Sequence, residues 1–436
     1  MWLTKSNLSA FAEYVFFLLA ALLISDALTP LLYPETREVL ELGDSNPNRL
    51  VLATAIYGLA VAMLILRFKS VIPLLSRRPE IILLMMLPII SATWSADPDA
   101  VAKRALAHCL TIAFCLYIVS RYTPDEFIER LLVSFGIGIG ASILIAMVLP
   151  DIGVSHDQAN AGAWKGVYGH KAIAGRMCAL TLFLAFLYAP RNRLLGIVRL
   201  IILFSSILLC AMTQSRASWL LVMFGFGAMT IVQCLRFAKL SAGIRIAVAA
   251  LIVILMIGIG VASFNDLLLS MGRDTTFSGR TKLWEAAVTV ASDHHPWLGS
   301  GYRDFWLGPA AADVGRYLAS WAKVPGHGHN GYLDTWLELG WVGLTLLLLF
   351  IVRTLLSVLS TSIREPKSNI WAIFAVFCMI FIVNNISATV AFRHTDIAWV
   401  LVILASLYTA RPNGHVIQRR SNPVPLQSLP QMVKSQ

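Results

Sequence analysis

The residues best suited to chemistry lie in one polar stretch, 278–340, of an otherwise apolar chain. This stretch holds four of the nine histidines, two of which form the short segment His327-Gly328-His329. Histidine is the natural general base near neutral pH, so His329 is the candidate base, with an ordinary turn histidine as the alternative. Arg280 opens the same stretch, and a guanidinium group suits recognition of a phosphate.

A second cation, Arg216, lies in a short polar break, 213–218, between two apolar runs. An arginine so close to the hydrocarbon is costly unless it is paired or faces water. Arg216 is therefore a functional candidate, and an interfacial loop residue is the alternative.

Three further groups of residues are candidates for substrate binding. His327 and Asn330 flank His329 and are expected to contact the substrate with it. The aromatic residues Tyr302 and Trp306 could stack on sugar rings or form the core of the polar stretch. The remaining candidates form a basic segment that either anchors the chain at the membrane surface or contacts an anionic head group; they are Lys165, His170 and Lys171.

A metal site formed by the histidines of this stretch is disfavoured. Their spacing is not the i, i+4 pattern of a helical metal site, and no carboxylate clearly completes a ligand set. We therefore expect no metal and no cofactor. The candidates weighed were His294, His295, His327 and His329.

Composition indicates an all-α integral membrane protein. Hydrophobic residues make up 57% of the 436 residues and charged residues only 14%, whereas a soluble protein carries about a quarter charged residues. The net charge of +11 comes from short basic clusters between apolar runs, a pattern typical of membrane topology rather than of nucleic-acid binding. The six cysteines fall in apolar segments, which argues against a disulfide framework, and no P-loop or kinase motif indicates an ATP-driven step.

Apolar runs of about 20 residues predict about twelve transmembrane helices and one large extracytoplasmic loop. With both termini cytoplasmic, most basic connections fall on the cytoplasmic side. The resulting domains are helices 1–9 in 1–263, a catalytic loop in 264–339, helices 10–12 in 340–410 and a disordered cytoplasmic tail in 411–436. The predicted spans lie near 9–30, 50–67, 79–93, 101–119, 128–149, 172–189, 195–212, 217–235, 246–263, 340–360, 369–387 and 396–410.

Two short helices are predicted inside the loop, at 281–292 and 330–339. They place Arg280 and His329 near helix N-termini, which attract anions through unpaired N–H groups. Together these features predict a site for phosphate.

The order of these motifs resembles the O-antigen ligase and Wzy-type polysaccharide polymerase family, nearest to its exopolysaccharide polymerases. One departure is the segment Gly166 to Ala172, where the family pattern has an asparagine and this chain reads His170-Lys171. The motifs that carry the resemblance are Trp94-Ser95-Ala96-Asp97-Pro98, Ser215-Arg216, Ser278-Gly279-Arg280, His295-Pro296-Trp297-Leu298-Gly299-Ser300-Gly301, His329-Asn330 and Glu338-Leu339-Gly340-Trp341-Val342-Gly343.

The resemblance implies a GT-C-like, inverting and metal-independent glycosyltransferase that uses sugars linked to undecaprenyl diphosphate. Arg216 and Arg280 would bind the diphosphate and His329 would be the base. The implied location is the bacterial inner membrane, with the active site facing the periplasm. The implied partners are the lipid-linked oligosaccharide, an acceptor glycan, membrane lipid, a chain-length regulator and a flippase, and no nucleic acid.

Three functions remain open at this point. The first is a polymerase of lipid-linked repeat units for exopolysaccharide or O-antigen. The second is an O-antigen ligase that transfers glycan to lipid A-core. The third, from another class, is a transporter or flippase of lipid-linked sugars, which the crowding of polar residues at one face disfavours.

Overall fold

The computed structural model describes residues 5–32, 47–157, 160–190, 192–237, 241, 243–244, 247, 280–318 and 326–411. Apart from one isolated bridge between Val154 and Trp164, the regular structure in these ranges is helical. In chain order, and numbered among the described residues only, the helices are α1 (Lys5–Ile24), α2 (Thr29–Leu32), α3 (Pro47–Ile65), α4 (Phe68–Arg77), α5 (Glu80–Ile90), α6 (Pro98–Arg121), α7 (Pro124–Val148), α8 (Pro150–Gly153), α9 (Lys171–Leu187), α10 (Arg193–Met212), α11 (Arg216–Phe237), α12 (Arg280–His294), α13 (Pro309–Tyr317), α14 (Gly331–Arg364), α15 (Ile370–Ser387) and α16 (Ile397–Ala410).

The prediction of a multi-pass membrane protein is supported. By length and composition, 7 of the described helices can cross a membrane: α3, α6, α7, α10, α11, α14 and α15. Shorter apolar helices occupy Phe11–Ile24, Glu80–Thr93 and Ile397–Ala410. Each predicted span except 246–263 coincides with a helix. That span, the segment 264–279 and the tail after 411 lie almost wholly outside the described residues, so the total of about twelve stays a prediction.

Local sequence explains where several helices begin. The Asp97 side chain caps α6 by accepting from the Ala100 N–H at 3.0 Å, and Pro98 follows it in the first turn, where no N–H is needed. At α7, Thr123 and Glu126 form a reciprocal capping box. Both helices therefore begin directly after their capping residues, three and four residues before the predicted spans at 101 and 128.

One end of the bundle is rich in guanidinium groups that donate to backbone carbonyls, most of them at the C-terminal ends of neighbouring helices. Positive charge there meets the negative ends of the helix dipoles. We call this the basic end. Its arginines lie in or beside the connections that the charge pattern of the sequence predicts to be cytoplasmic. The donors and acceptors are Arg67 to Ser120 (3.0 Å), Arg77 to Ala410 (2.9 Å), Arg199 to Tyr188 (2.8 Å), Arg236 to Ser368 (3.0 Å) and Arg411 to Tyr122 (2.7 Å).

The helix packing also defines the opposite end, which we call the site end. Gly175 near the start of α9 packs so tightly on the start of α11 that a Cβ would lie 1.9 Å from the Ser218 Oγ. At its other end α11 meets the start of α15, where Arg236 donates to the Asn369 side chain at 3.0 Å. Helices α11 and α15 are therefore antiparallel, so Arg216 lies at the end of the bundle where α15 finishes at Ser387.

Helix α14 is interrupted at Gly340, whose backbone lies in the left-handed region with φ of 64°. The segment 296–301 runs beside this break and takes up backbone groups that the helix leaves free. The Trp341 N–H donates to the Pro296 carbonyl at 3.0 Å, and the Gly301 N–H donates to the Glu338 carbonyl at 2.9 Å. The two motifs around Trp297 and Gly340 thus form one structural unit.

Candidate functional site

Arg280 is the first residue of α12, as the sequence predicts. Its guanidinium donates to the Ser387 carbonyl at 3.2 Å, which fixes the start of α12 against the end of α15. Burial lowers the pKa of Arg280. A guanidinium held in a poorly solvated position attracts an anion more strongly than one in water.

The segment His327-Gly328-His329 forms a turn held from two sides, which we call the histidine turn. The Trp284 indole of α12 donates to the Gly328 carbonyl at 2.7 Å. The Gly328 N–H donates to the Asp334 carboxylate of α14, at 2.9 Å to Oδ1 and 3.1 Å to Oδ2. His329 itself lies in the left-handed region with φ of 53°, a conformation that persists only when its surroundings impose it.

The two histidine rings of the turn are in direct contact. Their centroids lie 3.9 Å apart with the planes at 75°. The His329 N–H donates to His327 Nδ1 at 3.2 Å, so Nδ1 is an unprotonated acceptor and a neutral His327 carries its proton on Nε2.

Electrostatics keep both imidazoles neutral near pH 7. Burial and the Arg280 guanidinium lower the pKa of His329 to about 4. Burial, His329 and three guanidinium groups lower the pKa of His327 to about 2. The three groups are Arg393, Arg280 and Arg303. A neutral imidazole beside a cation can accept a proton, as a general base must.

Asp334 connects the histidine turn to the rest of the site. Besides the Gly328 N–H it accepts the Trp306 indole N–H at 2.8 Å and the Thr389 hydroxyl. Arg393 lies 3.7 Å from Asp334 and 3.3 Å from Glu338, one helical turn further along α14. The two carboxylates of α14 therefore share the Arg393 guanidinium inside the site end.

Sequence reasoning did not identify Asp334, Glu338 or Arg393 as parts of the site. Asp396, three residues after Arg393, is instead the N-cap of α16. The Asp396 carboxylate accepts from the Ala398 N–H at 2.8 Å and pairs with Arg176 at 2.8 Å. A usable signal existed in the i, i+4 spacing of Asp334 and Glu338 at the start of an apolar helix.

Asn330 is the N-cap of α14. Its side-chain oxygen accepts the N–H groups of Tyr332 and Leu333, both at 3.1 Å. The predicted second helix of the loop is therefore present, and His329 lies just before its start. Because the oxygen is used by the cap, the amide NH₂ is the part of Asn330 left to contact a substrate, and that role stays a prediction.

Tyr302 and Trp306 pack in the core of the polar stretch, which was the alternative to stacking on sugar rings. Both rings are buried. The Tyr302 hydroxyl donates to the Phe392 carbonyl at 2.5 Å, and the Trp306 indole is bound to Asp334. Neither ring face is available to a sugar, so the expectation that they bind substrate is corrected: they build the core of the polar stretch.

For the basic segment before α9, a membrane anchor and a contact to an anionic head group both remain predictions. His170 caps α9, with Nδ1 accepting from the Ala172 N–H at 3.1 Å. Lys165 and Lys171 are partly exposed at the same end of the bundle as Arg216. They are placed where either a membrane anchor or a contact to an anionic head group is feasible.

Arg216 is the first residue of α11 and is exposed at the site end. The described contacts join Arg280 to the histidine turn, whereas helix packing alone places Arg216 at the same end. Its participation in one site with Arg280 and His329 therefore stays a prediction.

Within the described ranges, no group of three or more histidine, cysteine, aspartate or glutamate side chains is arranged to hold a metal ion. His294 belongs to α12, but the description of that helix does not extend to its side chain. His295 is exposed at the end of α12.

Two comparisons with known proteins agree with the sequence resemblance. Residues 200–348, which include Arg216, Arg280 and the histidine turn, match the family model described as O-antigen ligase. A 126-residue stretch is 30% identical to the exopolysaccharide production protein ExoQ of Rhizobium meliloti (strain 1021). That stretch covers 27% of this chain and 28% of the relative, so the match spans little more than a quarter of either protein.

Proposed function

We propose that this chain, a relative of the O-antigen ligases and Wzy-type polymerases, polymerises oligosaccharide repeat units carried on undecaprenyl diphosphate. The reaction takes place at the outer face of the bacterial inner membrane. One observation carries the proposal: a neutral His329 lies within electrostatic reach of the partly desolvated Arg280, at one end of a membrane helix bundle.

The chemistry follows from these groups. The hydroxyl of the acceptor sugar attacks the anomeric carbon of the donor and forms the new glycosidic bond. The anomeric C–O bond to the diphosphate breaks, and Arg280, with Arg216, stabilises the charge on the leaving diphosphate. His329 takes the proton of the attacking hydroxyl. A single in-line attack inverts the anomeric centre.

Substrate binding raises the basicity of His329. A pKa of about 4 makes His329 neutral but weakly basic in the free protein. A bound diphosphate places negative charge beside Arg280 and so opposes the cation that lowers this pKa. The pKa of His329 therefore rises toward neutrality in the complex, where a stronger base is needed.

A ligase is the second candidate, because the matching family model is described as O-antigen ligase. The exopolysaccharide production protein matched over part of the chain favours the polymerase. The two functions share the donor and differ in the acceptor. Deleting the gene separates them: a polymerase deletion loses long chains, whereas a ligase deletion leaves long chains on the carrier lipid.

A reconstituted transfer assay tests the proposed reaction. Purified protein in nanodiscs is given a defined lipid-linked repeat unit, with and without chelator, and product length is measured. Wild type extends the glycan under both conditions. His329→Ala loses on the order of 10²-fold or more of the rate. Arg280→Lys is also slowed, because an ammonium cannot reproduce the guanidinium fork.

Arg316→Gln is the matched control, because Arg316 lies exposed on α13 in an ion pair with Asp313. It should extend the glycan at the wild-type rate. Transfer by His329→Ala at the wild-type rate would contradict the proposal. Movement of lipid-linked sugar across vesicles without any extension would favour a flippase.

A further inference from the structure

Apolar side chains lie exposed where the polar stretch meets the break in α14. Before the break, Trp297 is 70% exposed and Leu298 44%. After it, Trp341 is 47% exposed and Val342 45%. The Val342 N–H donates to the Trp297 carbonyl at 3.2 Å, so the backbone holds the two pairs side by side. We call these four residues the tryptophan patch.

The tryptophan patch is continuous with an exposed apolar face of α14, one of the helices that can cross a membrane. Leu348, Leu349 and Val352 are exposed on this helix. They follow Trp341 and Val342 at helical spacing and therefore lie on the same face. In a membrane this face meets lipid, and the tryptophan patch forms its upper edge at the site end.

Helix geometry gives the depth of the patch. Phe350 of α14 packs on Trp399 of α16 with ring centroids 5.6 Å apart, and both helices run from the site end to the basic end. Trp341 precedes Phe350 by about 14 Å along α14, and Ala410 follows Trp399 by about 17 Å along α16. The Ala410 carbonyl is bound by Arg77 of the basic end. Trp341 and Ala410 are thus about 30 Å apart along the bundle, the thickness of the hydrocarbon core of a bilayer.

Tryptophan suits the boundary that this depth defines. Its ring is apolar and its indole N–H is polar, so tryptophan is enriched where the hydrocarbon core meets the head groups. With the arginines of the basic end at one membrane surface, Trp297 and Trp341 lie at the other.

We propose that the tryptophan patch docks the polar stretch onto the phospholipid bilayer, with Trp297 and Trp341 in the head-group region at the site end. The segment 296–301 then lies in the membrane interface and not in free solvent. Its partner is the lipid surface, which covers the exposed side chains of Trp297 and Leu298.

Docking fixes the second end of α12. At its first end, Arg280 is bound to the Ser387 carbonyl at 3.2 Å. Trp297 follows the last residue of α12, His294, by three positions. The helix therefore cannot lift away from the bundle without withdrawing Trp297 from the interface.

Spin-label accessibility in phospholipid nanodiscs measures this docking. Oxygen partitions into lipid and a nickel chelate stays in water, so collision rates with the two reagents report depth. In the patch, labels should collide with nickel several-fold less often than a label on exposed α13, and with oxygen less often than a label deep on α14. The labels are placed in a Cys234→Ser background, because Cys234 is exposed and the other five cysteines are buried, at Leu298→Cys and Val342→Cys in the patch, at Arg316→Cys on α13 and at Leu349→Cys on α14.

Each alternative gives a different result. A nickel collision rate at Leu298→Cys equal to that at Arg316→Cys would place the segment in water and overturn the docking. Low collision rates with both reagents would mean that protein, for example a second copy of this chain, covers the patch, and would overturn it as well.

Trp297→Ser separates docking from folding. It removes an exposed side chain and keeps the backbone carbonyl that accepts the Val342 N–H, so the unfolding temperature in detergent should match wild type. In nanodiscs the nickel collision rate at the Leu298→Cys label should rise several-fold, toward that of the α13 label. Tyr317→Ser removes a 61% exposed aromatic ring of α13 and should leave the rate unchanged.

An unchanged rate in folded Trp297→Ser would contradict the docking. No glycan is needed for these measurements, so they separate the docking from the proposed function. Docked labels in a protein that transfers nothing would leave the docking in place and exclude the transferase, and labels in water in an active protein would do the reverse.

Discussion

At the scale of single residues, some side chains fix the backbone of the histidine turn and others change the pKa of its histidines. Trp284 and Asp334 bind the two polar backbone groups of Gly328, and burial together with Arg280 lowers the pKa of His329. The sequence identified Arg280 and His329 because their residue types suit phosphate and proton transfer. It could not identify Asp334, because the Trp306 and Thr389 side chains that meet there come from segments 28 and 55 residues away.

The depressed pKa of His329 predicts a specific pH dependence. Because burial and Arg280 lower it to about 4, the free protein keeps a neutral base from neutral pH down to that value. The acid limb of kcat/KM, which reports the free enzyme, is expected near pH 4. The acid limb of kcat is expected at higher pH, because the bound diphosphate raises the pKa.

Arg280→Gln provides the control for this pH profile. Removing the cation raises the pKa of His329, so the acid limb of kcat/KM moves upward toward the ordinary histidine value of about 6.5. Coincident limbs for kcat and kcat/KM in wild type, or an unmoved limb in Arg280→Gln, would contradict the assignment of His329 as the base.

Asp334→Asn tests the residue that positions the turn. The amide oxygen can keep the Gly328 N–H and the Trp306 indole, which already share Oδ1. The NH₂ that replaces Oδ2 cannot accept the Thr389 hydroxyl and faces the Arg393 guanidinium, so the side chain that holds the turn shifts. We expect kcat to fall by about 10- to 100-fold with little change in KM for the donor, because a misplaced base slows the chemical step. Asp313→Asn on the exposed face of α13 is the control, and an unchanged kcat in Asp334→Asn would exclude a positioning role.

At the scale of elements, the break in α14 determines how the polar stretch is attached to the bundle. The sequence predicted helices at 281–292 and 330–339, and both are present as the start of α12 and of α14. It did not predict that the second helix continues into the next span with a break at Gly340. That break depends on backbone pairing with 296–301, a tertiary contact that local propensity does not encode.

Gly340→Ala tests this attachment. The alanine would have to keep a φ of 64°, and its Cβ would lie 2.1 Å from the Trp297 carbonyl oxygen. We expect a loss of more than about 1–3 kcal/mol of stability, measured as a lower unfolding temperature in detergent. Gly196→Ala in α10, where a Cβ meets nothing within 4 Å, should be neutral or slightly stabilising. Equal behaviour of the two variants would contradict a structural role for the break.

At the scale of the whole molecule, the two ends of the bundle use their arginines differently: those of the basic end bind backbone carbonyls, whereas Arg393 at the site end pairs with carboxylates. Hydropathy and the basic clusters predicted the membrane class and the side to which most connections belong. The convergence of α12, α14 and α15 at the site end could not be predicted from the sequence, because it depends on helix packing between residues far apart in the chain. The hydrogen bond from the Arg280 guanidinium to the Ser387 carbonyl is one such contact.

The predicted membrane orientation, with the site end outside and the basic end in the cytoplasm, can be measured. In a Cys234→Ser background, Arg316→Cys reports the site end and Lys367→Cys reports the basic end. A membrane-impermeant maleimide should label Arg316→Cys in spheroplasts and Lys367→Cys only after permeabilisation. Labelling of Lys367→Cys in intact spheroplasts would place the site on the cytoplasmic face.

The central claim is that Arg216, at the start of α11, and Arg280, beside the histidine turn, hold the same lipid diphosphate. A double-mutant cycle on the binding of undecaprenyl diphosphate to wild type, Arg216→Gln, Arg280→Gln and the double variant tests it directly. The account predicts that each single change weakens binding on the order of 10-fold or more, and that the two effects are coupled by about 0.5–3 kcal/mol. Wild-type affinity in Arg216→Gln, or two strictly additive losses, would contradict it.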